Sequence, residues 1–304
     1  MATPVLSPAR GVMVTVFAMM LTWLDVVGYF QSVCWLCGRV GVIKALAFSM
    51  VLRFHFLPPW DDASQTMKWA ATDTNELYLF EPTLGKMSPT LNHGFLFIPG
   101  ALVHPHSYAP VLSRLANASN GHVLCVCVKP RFRHPALWAD SEERALTIIS
   151  EMMRRYPSVT SWTIGGHSMG AGGYGAARIV SRLLARGAPV RGLVMWAGAI
   201  TNGTGVDLKA TQLRSLVLLA SEDSVVPPHG KVEDGSNTQD NLRRYHPPST
   251  KVVVIEGGNH GGFGNYGPQT FPRLDNPRTI SLQEQQSQAV DHTARFLRDV
   301  IRRA

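Results

Sequence analysis

Three residues of this 304-residue chain carry the side chains needed for nucleophilic acyl transfer: Ser168, His260 and Asp223. Ser168 lies in Gly166-His167-Ser168-Met169-Gly170, directly after Ser161-Trp162-Thr163-Ile164-Gly165, which reads as a short β-strand. The small residues from Ala171 to Ala177 then read as the opening of a helix. G-x-S-x-G between a strand and a helix is the pattern of a nucleophile elbow. A serine on so sharp a turn has a strained backbone, and a Cβ two residues to either side would crowd it, so glycines at 166 and 170 suit the turn. A helix N-terminus beneath Ser168 would point N–H groups and a positive dipole end at a developing oxyanion.

A serine hydroxyl is a poor nucleophile at its own pKa and needs a base within hydrogen-bond reach. His260, in Glu256-Gly257-Gly258-Asn259-His260-Gly261-Gly262, would take the Ser168 proton and return it to the leaving group. Asp223, in Ser221-Glu222-Asp223-Ser224-Val225-Val226-Pro227, would fix the tautomer of His260 and stabilise its charged form. Glu222 is the rival acid beside it, and Asp207 and Asp234 are loop residues of weaker placement. An oxyanion hole needs two backbone N–H groups. Met169, next after the serine, would supply one. Ala101 in Pro99-Gly100-Ala101-Leu102 would supply the other, with Leu102 as the alternative donor and Gly100 permitting the sharp turn. His104 and His106 read as polar rim residues, with lining of the pocket as the alternative, and His167 as packing support for the elbow, not the base. No metal-ligand spacing is present.

These residues require a scaffold that gathers loops at one rim. Gly94-Phe95-Leu96-Phe97-Ile98, Val123 to Val128, residues 160–165, Leu193 to Ala197, Ser215 to Ala220 and Val252 to Ile255 are apolar runs of the kind a strand buried on both faces needs. Met67 to Thr72 and Glu76 to Phe80 read as two short antiparallel strands joined at Asp73-Thr74-Asn75. Between the runs lie helical patterns: Tyr108 to Ala116, Ser141 to Tyr156 with Ser141 as cap, a helix after the elbow to about Ala185, and Leu282 to Ile301. Strands alternating with helices imply an α/β fold, with a mostly parallel sheet wound on both sides. In such a sheet, ligand-handling groups collect at the carboxyl ends of strands, where Ser168, Asp223 and His260 all fall.

The net charge of +8 raises the question of polyanionic partners. The basic residues are scattered, Arg178, Arg182 and Arg186 form one helical stripe that reads as a solvated face, and no nucleic-acid module appears. Attraction to an anionic membrane surface is the better use of the charge. Cys125 and Cys127 alternate within one strand pattern and read as buried small hydrophobes, and Cys34-x-x-Cys37 lies in an apolar segment without a redox context.

Residues 11–30 are apolar apart from Asp25 and long enough to cross a bilayer as a helix. A second apolar stretch runs from Val40 to Leu57, broken by Lys44, Arg53 and His55. The first expectation is a membrane anchor or embedded hairpin. The alternatives are a cleaved signal peptide and a pair of helices packed on the catalytic domain. Asp25 argues against a simple span, because a carboxylate at mid-bilayer is costly unless paired. Arg39, Lys44 and Arg53 favour a cytoplasmic side downstream of the first stretch, whereas the sequons at Asn117 and Asn202 have meaning only in a lumenal domain. Pro58 to Ser64 reads as a linker, which divides the chain into a hydrophobic segment, residues 1–60, and a catalytic domain, residues 61–304.

Phe97-Ile98-Pro99-Gly100-Ala101-Leu102-Val103, Gly165-Gly166-His167-Ser168-Met169-Gly170-Ala171 and Gly257-Gly258-Asn259-His260 resemble the α/β-hydrolase superfamily, in its dienelactone-hydrolase-like branch of small hydrolases. Gly258 through Gln269, then Ile280 with Glu284-Gln285-Gln286, is similar to one subgroup of that branch, and the similarity covers about residues 67–302. The resemblance implies that fold, a triad in the chain order Ser, Asp, His, and no cofactor. Serine stands where dienelactone hydrolase has cysteine, which argues against dienelactone substrates. The expectation is a membrane-associated, carboxylesterase-like serine hydrolase acting on a small ester or lipid acyl ester through an acyl-enzyme. Few residues separate the strand at 193 from that at 215, so no large lid is expected there. An acyltransferase, thioesterase or peptidase on the same triad, or a binding protein without turnover, are the alternatives.

Overall fold

The computed structural model describes residues 72–83, 91–130, 133, 141–232, 234–270 and 273–303. Both apolar stretches, the linker and the boundary at residue 60 lie outside them, as do Cys34, Cys37 and residues 67–71 of the first expected strand. Among the described residues no helix is long and apolar enough to cross a membrane.

Among the described residues eight strands form one sheet. They are β1 (Thr72–Asp73), β2 (Leu77–Phe80), β3 (His93–Ile98), β4 (Val123–Val128), β5 (Ser161–His167), β6 (Val190–Trp196), β7 (Arg214–Ala220) and β8 (Lys251–Ile255). Their spatial order is β1-β2-β4-β3-β5-β6-β7-β8; the first two pairings are antiparallel and the rest parallel. The helices are α1 (Ala109–Ala118), α2 (Ser141–Arg155), α3 (Ala176–Ala185), α4 (Thr238–Tyr245) and α5 (Leu282–Arg302).

Period-two alternation divides the core into two layers. Leu96, Ile98, Leu124, Val126, Trp162 and Ile164 pack on the face covered by α2 and α3. Phe95, Phe97, Cys125, Cys127, Val194 and Trp196 pack on the other, against α1 and α5. The sheet is therefore buried on both sides, which is why its central strands are continuous apolar runs. Cys125 and Cys127 are free thiols within this second layer. Arg178, Arg182 and Arg186 are exposed along α3, as a solvated stripe requires.

Asp73, expected in the turn, belongs to β1, and two larger departures concern helices. No α-helix opens directly beneath Ser168: a 3-10 turn, Ser168–Gly170, follows β5, and α3 begins only at Ala176. Gly172, Gly173 and Gly175 fill the interval, and glycine in a helix interior costs about 1 kcal/mol relative to alanine. α4 is an additional helix. Its residues are almost all polar, so it has no apolar stripe to betray it, but Asn237 caps it by accepting from Gln239 N at 2.9 Å and Asp240 N at 3.4 Å.

Candidate active site

The elbow is built by contact between backbones. A Cβ on Gly166 would come within 2.2 Å of Gly170 O, and one on Gly170 within 2.1 Å of Pro99 O, so both positions need glycine for space. The turn leaves Ser168 at φ 55°, in the left-handed region that a side chain rarely adopts. Leu102 at φ 65° and Ala197 at φ 45° share that region, just past the carboxyl ends of β3 and β6 on either side of β5. Such strain costs about 1–3 kcal/mol per residue and is held only where surrounding contacts over-determine it.

At this rim the structure brings three of the sequence-derived residues together. His260 Nε2 lies 2.8 Å from Ser168 Oγ, and His260 Nδ1 lies 2.8 Å from Asp223 Oδ2. Asp223 is fixed in turn, because its Oδ1 accepts from Val225 N at 2.8 Å and Val226 N at 2.7 Å. With Nδ1–H donated to the carboxylate, Nε2 is left as the acceptor for the serine hydroxyl. Burial of His260 alone would lower its pKa. The charge and hydrogen bond of Asp223, helped by Asp275, outweigh burial and leave it raised. Glu222 takes no part and instead accepts from Ser221 Oγ at 3.2 Å. Asp207 and Asp234 bond amides of their own loops, at Lys209 and Ser236.

The two expected oxyanion donors are both unspent: among the described residues no protein acceptor takes the amide of Ala101 or Met169. The alternative donor is excluded, because Leu102 N already donates to Arg133 O at 2.6 Å. Gly100 has a different task from the one expected. The left-handed residue of this loop is Leu102, while Gly100 gives room: a Cβ there would stand 2.8 Å from His167 Nδ1. His104 and His106 are half-buried beside the loop, with His106 N donating to His104 Nδ1 at 3.2 Å.

Several supporting residues were invisible as such in the sequence. Gly100 N donates to Tyr108 Oη at 3.1 Å, Tyr108 Oη donates to His167 Nδ1 at 2.8 Å, and His167 Nε2 donates to the His260 carbonyl at 3.1 Å. Burial, then the neighbouring His260, holds the His167 pKa well below its usual value, so it stays neutral as this chain requires. On α5, Gln285 meets both backbone groups of Asn259: its Oε1 accepts the N–H at 3.1 Å and its Nε2 donates to the carbonyl at 2.7 Å. Gln285 and Gln286 sit on the same buried face as Ala289, Val290 and Thr293. Glutamine at core-facing helical positions was the available signal.

A second histidine–hydroxyl cluster lies elsewhere. His93 Nδ1 is 2.7 Å from Ser161 Oγ and its Nε2 is 2.8 Å from Thr163 Oγ1. His93 and Ser161 are fully or nearly fully buried at the starts of β3 and β5. Ser161 is separated from the elbow by the length of β5, about 20 Å at the usual rise per residue. Both ring nitrogens are satisfied by hydroxyls and, among the described residues, no carboxylate bonds the ring, so this pair serves the core.

A parallel-rich sheet covered on both faces, with a left-handed serine at the end of its central strand and a histidine and carboxylate from two further strand ends, defines the α/β-hydrolase class. The model of the alpha/beta hydrolase family matches residues 94–287, and the chain belongs to that family. No curated protein matches the sequence. Among solved structures, an esterase of Pyrobaculum calidifontis is 15% identical, with 77% of this chain and 87% of that one covered at a TM-score of 0.49. Est1E from Butyrivibrio proteoclasticus is 12% identical over 74% and 93%, at 0.46. A predicted CIB-like hydrolase from Thermoplasma acidophilum is 17% identical over 75% and 95%, at 0.46.

Proposed function

We propose that this hydrolase is a serine esterase that cleaves a carboxylic ester through an acyl-enzyme. The observation that carries the reading is the unbroken line of two 2.8 Å hydrogen bonds from Ser168 Oγ through His260 to Asp223. His260 Nε2 takes the hydroxyl proton as Ser168 Oγ attacks the ester carbonyl, and the tetrahedral oxyanion draws on the amides of Ala101 and Met169. Collapse expels the alcohol, which leaves with the proton from His260. Water then repeats the sequence on the acyl-serine and releases the acid. Asp223 steadies the imidazolium through its hydrogen bond to Nδ1. The groups that do this work come from four strand ends, those of β3, β5, β7 and β8, so the sheet brings their loops to one rim.

The ester we favour is a lipid or acyl ester. The support is the apolar segment at residues 11–30, which as an anchor would hold the catalytic domain, residues 61–304, against a membrane. A fluorophosphonate probe tests the chemistry: the wild type becomes covalently labelled and Ser168→Ala does not. A wild type that stays unlabelled overturns the esterase reading. A panel of p-nitrophenyl esters of graded chain length tests the substrate class, and activity confined to the acetate sinks the lipid assignment.

A further inference from the structure

A second carboxylate stands beside the base. Asp275 lies beyond the His260 loop in the chain and reaches back to both partner loops. Its Oδ2 accepts the N–H of Gly261, one residue past the base, at 2.9 Å. Its Oδ1 is 3.4 Å from the N–H of Ser224, one residue past the acid. Its neighbours make the same connection. Ser224 Oγ donates to Leu274 O at 2.6 Å, Arg273 Nη1 donates to Ser224 O at 3.2 Å, and Asn259 Nδ2 donates to Asn276 O at 2.6 Å. Residues 273–276 therefore sew the loop that carries Asp223 to the loop that carries His260.

Resting on the reading of Ser168, His260 and Asp223 as one catalytic unit, we propose that Asp275 is a positioning residue for the base. It clamps the two loops in register, and its negative charge favours the imidazolium that forms when Ser168 gives up its proton. The groups around His260 make that charge count. Asp223 approaches from the loop after β7, Ser168 and His167 from the elbow, and Asp275 from the segment beyond the histidine, while Tyr108 and Tyr266 stand behind His167. Arg278 is the nearby cation, donating to Asn259 Oδ1 at 3.4 Å. His167, Tyr108 and Tyr266 are held neutral by burial, which leaves Asp223 and Asp275 as the anions of the set. Asp275 accordingly works with Asp223 to raise the His260 pKa against burial. Burial raises the Asp275 carboxyl itself, while the Gly261 N–H and the His260 charge pull it back. A half-buried aspartate serving only as a loop staple would leave the titration of the imidazole untouched.

The experiment is a titration of His260 in the full chain, followed through its downfield ring-proton resonance by NMR, for wild type and Asp275→Asn. The His260 pKa is expected to fall by about half a unit or more when the charge is removed. The acid limb of the kcat/KM profile should fall with it. Asp275→Glu, which keeps the charge, stays closer to wild type. Asp275→Ala provides a second neutral variant should the asparagine protein misfold. An unmoved His260 titration in a folded neutral variant overturns the proposal, whatever happens to the rate. The two readings fail separately: a wild type that neither labels nor hydrolyses esters, yet whose His260 titration depends on Asp275, refutes the esterase and keeps the clamp.

Discussion

Ser168 and His260 are joined by one hydrogen bond and act on one proton, so removing either should cost nearly the same. Ser168→Ala and His260→Ala are each expected to lower acylation by at least about 10^4-fold, measured as the rate of fluorophosphonate labelling or of ester burst formation. A loss of only a few-fold in His260→Ala would show that another group is the base. The raised His260 pKa sets the sign of the pH dependence. The base works neutral, so kcat/KM should climb with pH, and its acid limb should lie above the ordinary histidine value of about 6.5. A midpoint at or below that value would contradict the Asp223 and Asp275 contributions. The serine and its two glycines were legible because steric necessity leaves a fixed spacing in the sequence. Gly166→Ala drives a methyl into a carbonyl that has nowhere to move, and overpacking of this kind costs about 1–3 kcal/mol.

The strands were the most legible elements, because burial on two faces excludes polar residues and leaves runs such as Val123–Val128. Their ends, which place the site, followed within one or two residues. The elbow helix was placed too early, since the small residues after Ser168 serve close packing and not helix formation. α4 carried no apolar periodicity, and only its cap marks it. The support under the site was less legible still. Nothing about Tyr108 or His167 in sequence shows that, from positions 59 apart, they share a 2.8 Å hydrogen bond. That bond ties the oxyanion loop after β3 to the elbow after β5, and the second nitrogen of His167 extends the tie to the loop after β8. Tyr108→Phe keeps the ring packing against Phe97 and removes only the hydroxyl. It leaves the Gly100 N–H and His167 Nδ1 without a partner, at about 1–3 kcal/mol for each buried polar group. We expect a folded variant with a reduced Tm and a kcat reduced about tenfold, since Ala101 rides on the Gly100 turn. A Tyr108→Phe enzyme with wild-type kcat would show that the three loops hold their positions independently.

Across the whole molecule, the buried histidines make stability depend on pH. Burial pushes the pKa values of His93 and His246 down to about 4, and His167 lies well below its usual value. In the unfolded chain each titrates near 6.5. The folded pKa is the lower one, so between about 6.5 and 4 the unfolded state takes up protons that the native state refuses. Stability then falls as pH falls, by about 1.4 kcal/mol per pH unit for each such group. His260 has the opposite sign and a different window: its raised pKa contributes stability below about 6.5, lost as pH rises through the folded value. Asp275 offsets part of the acid slope, because its raised carboxyl takes up a proton first in the native state. The net expectation is a maximum in Tm near or just below neutrality and a steep decline towards pH 4, read by thermal unfolding at fixed ionic strength. His93→Gln can still bond the Ser161 or Thr163 hydroxyl but cannot titrate, so it should flatten the acid limb by about one proton's worth of slope. It should do so without moving the pH profile of catalysis, because His93 sits at the opposite end of β3 from the oxyanion loop. A Tm that holds level from pH 6.5 to 4.5 would mean that these imidazoles are protonated inside the fold, and the hydroxyl-lined pocket of His93 would then need a different account.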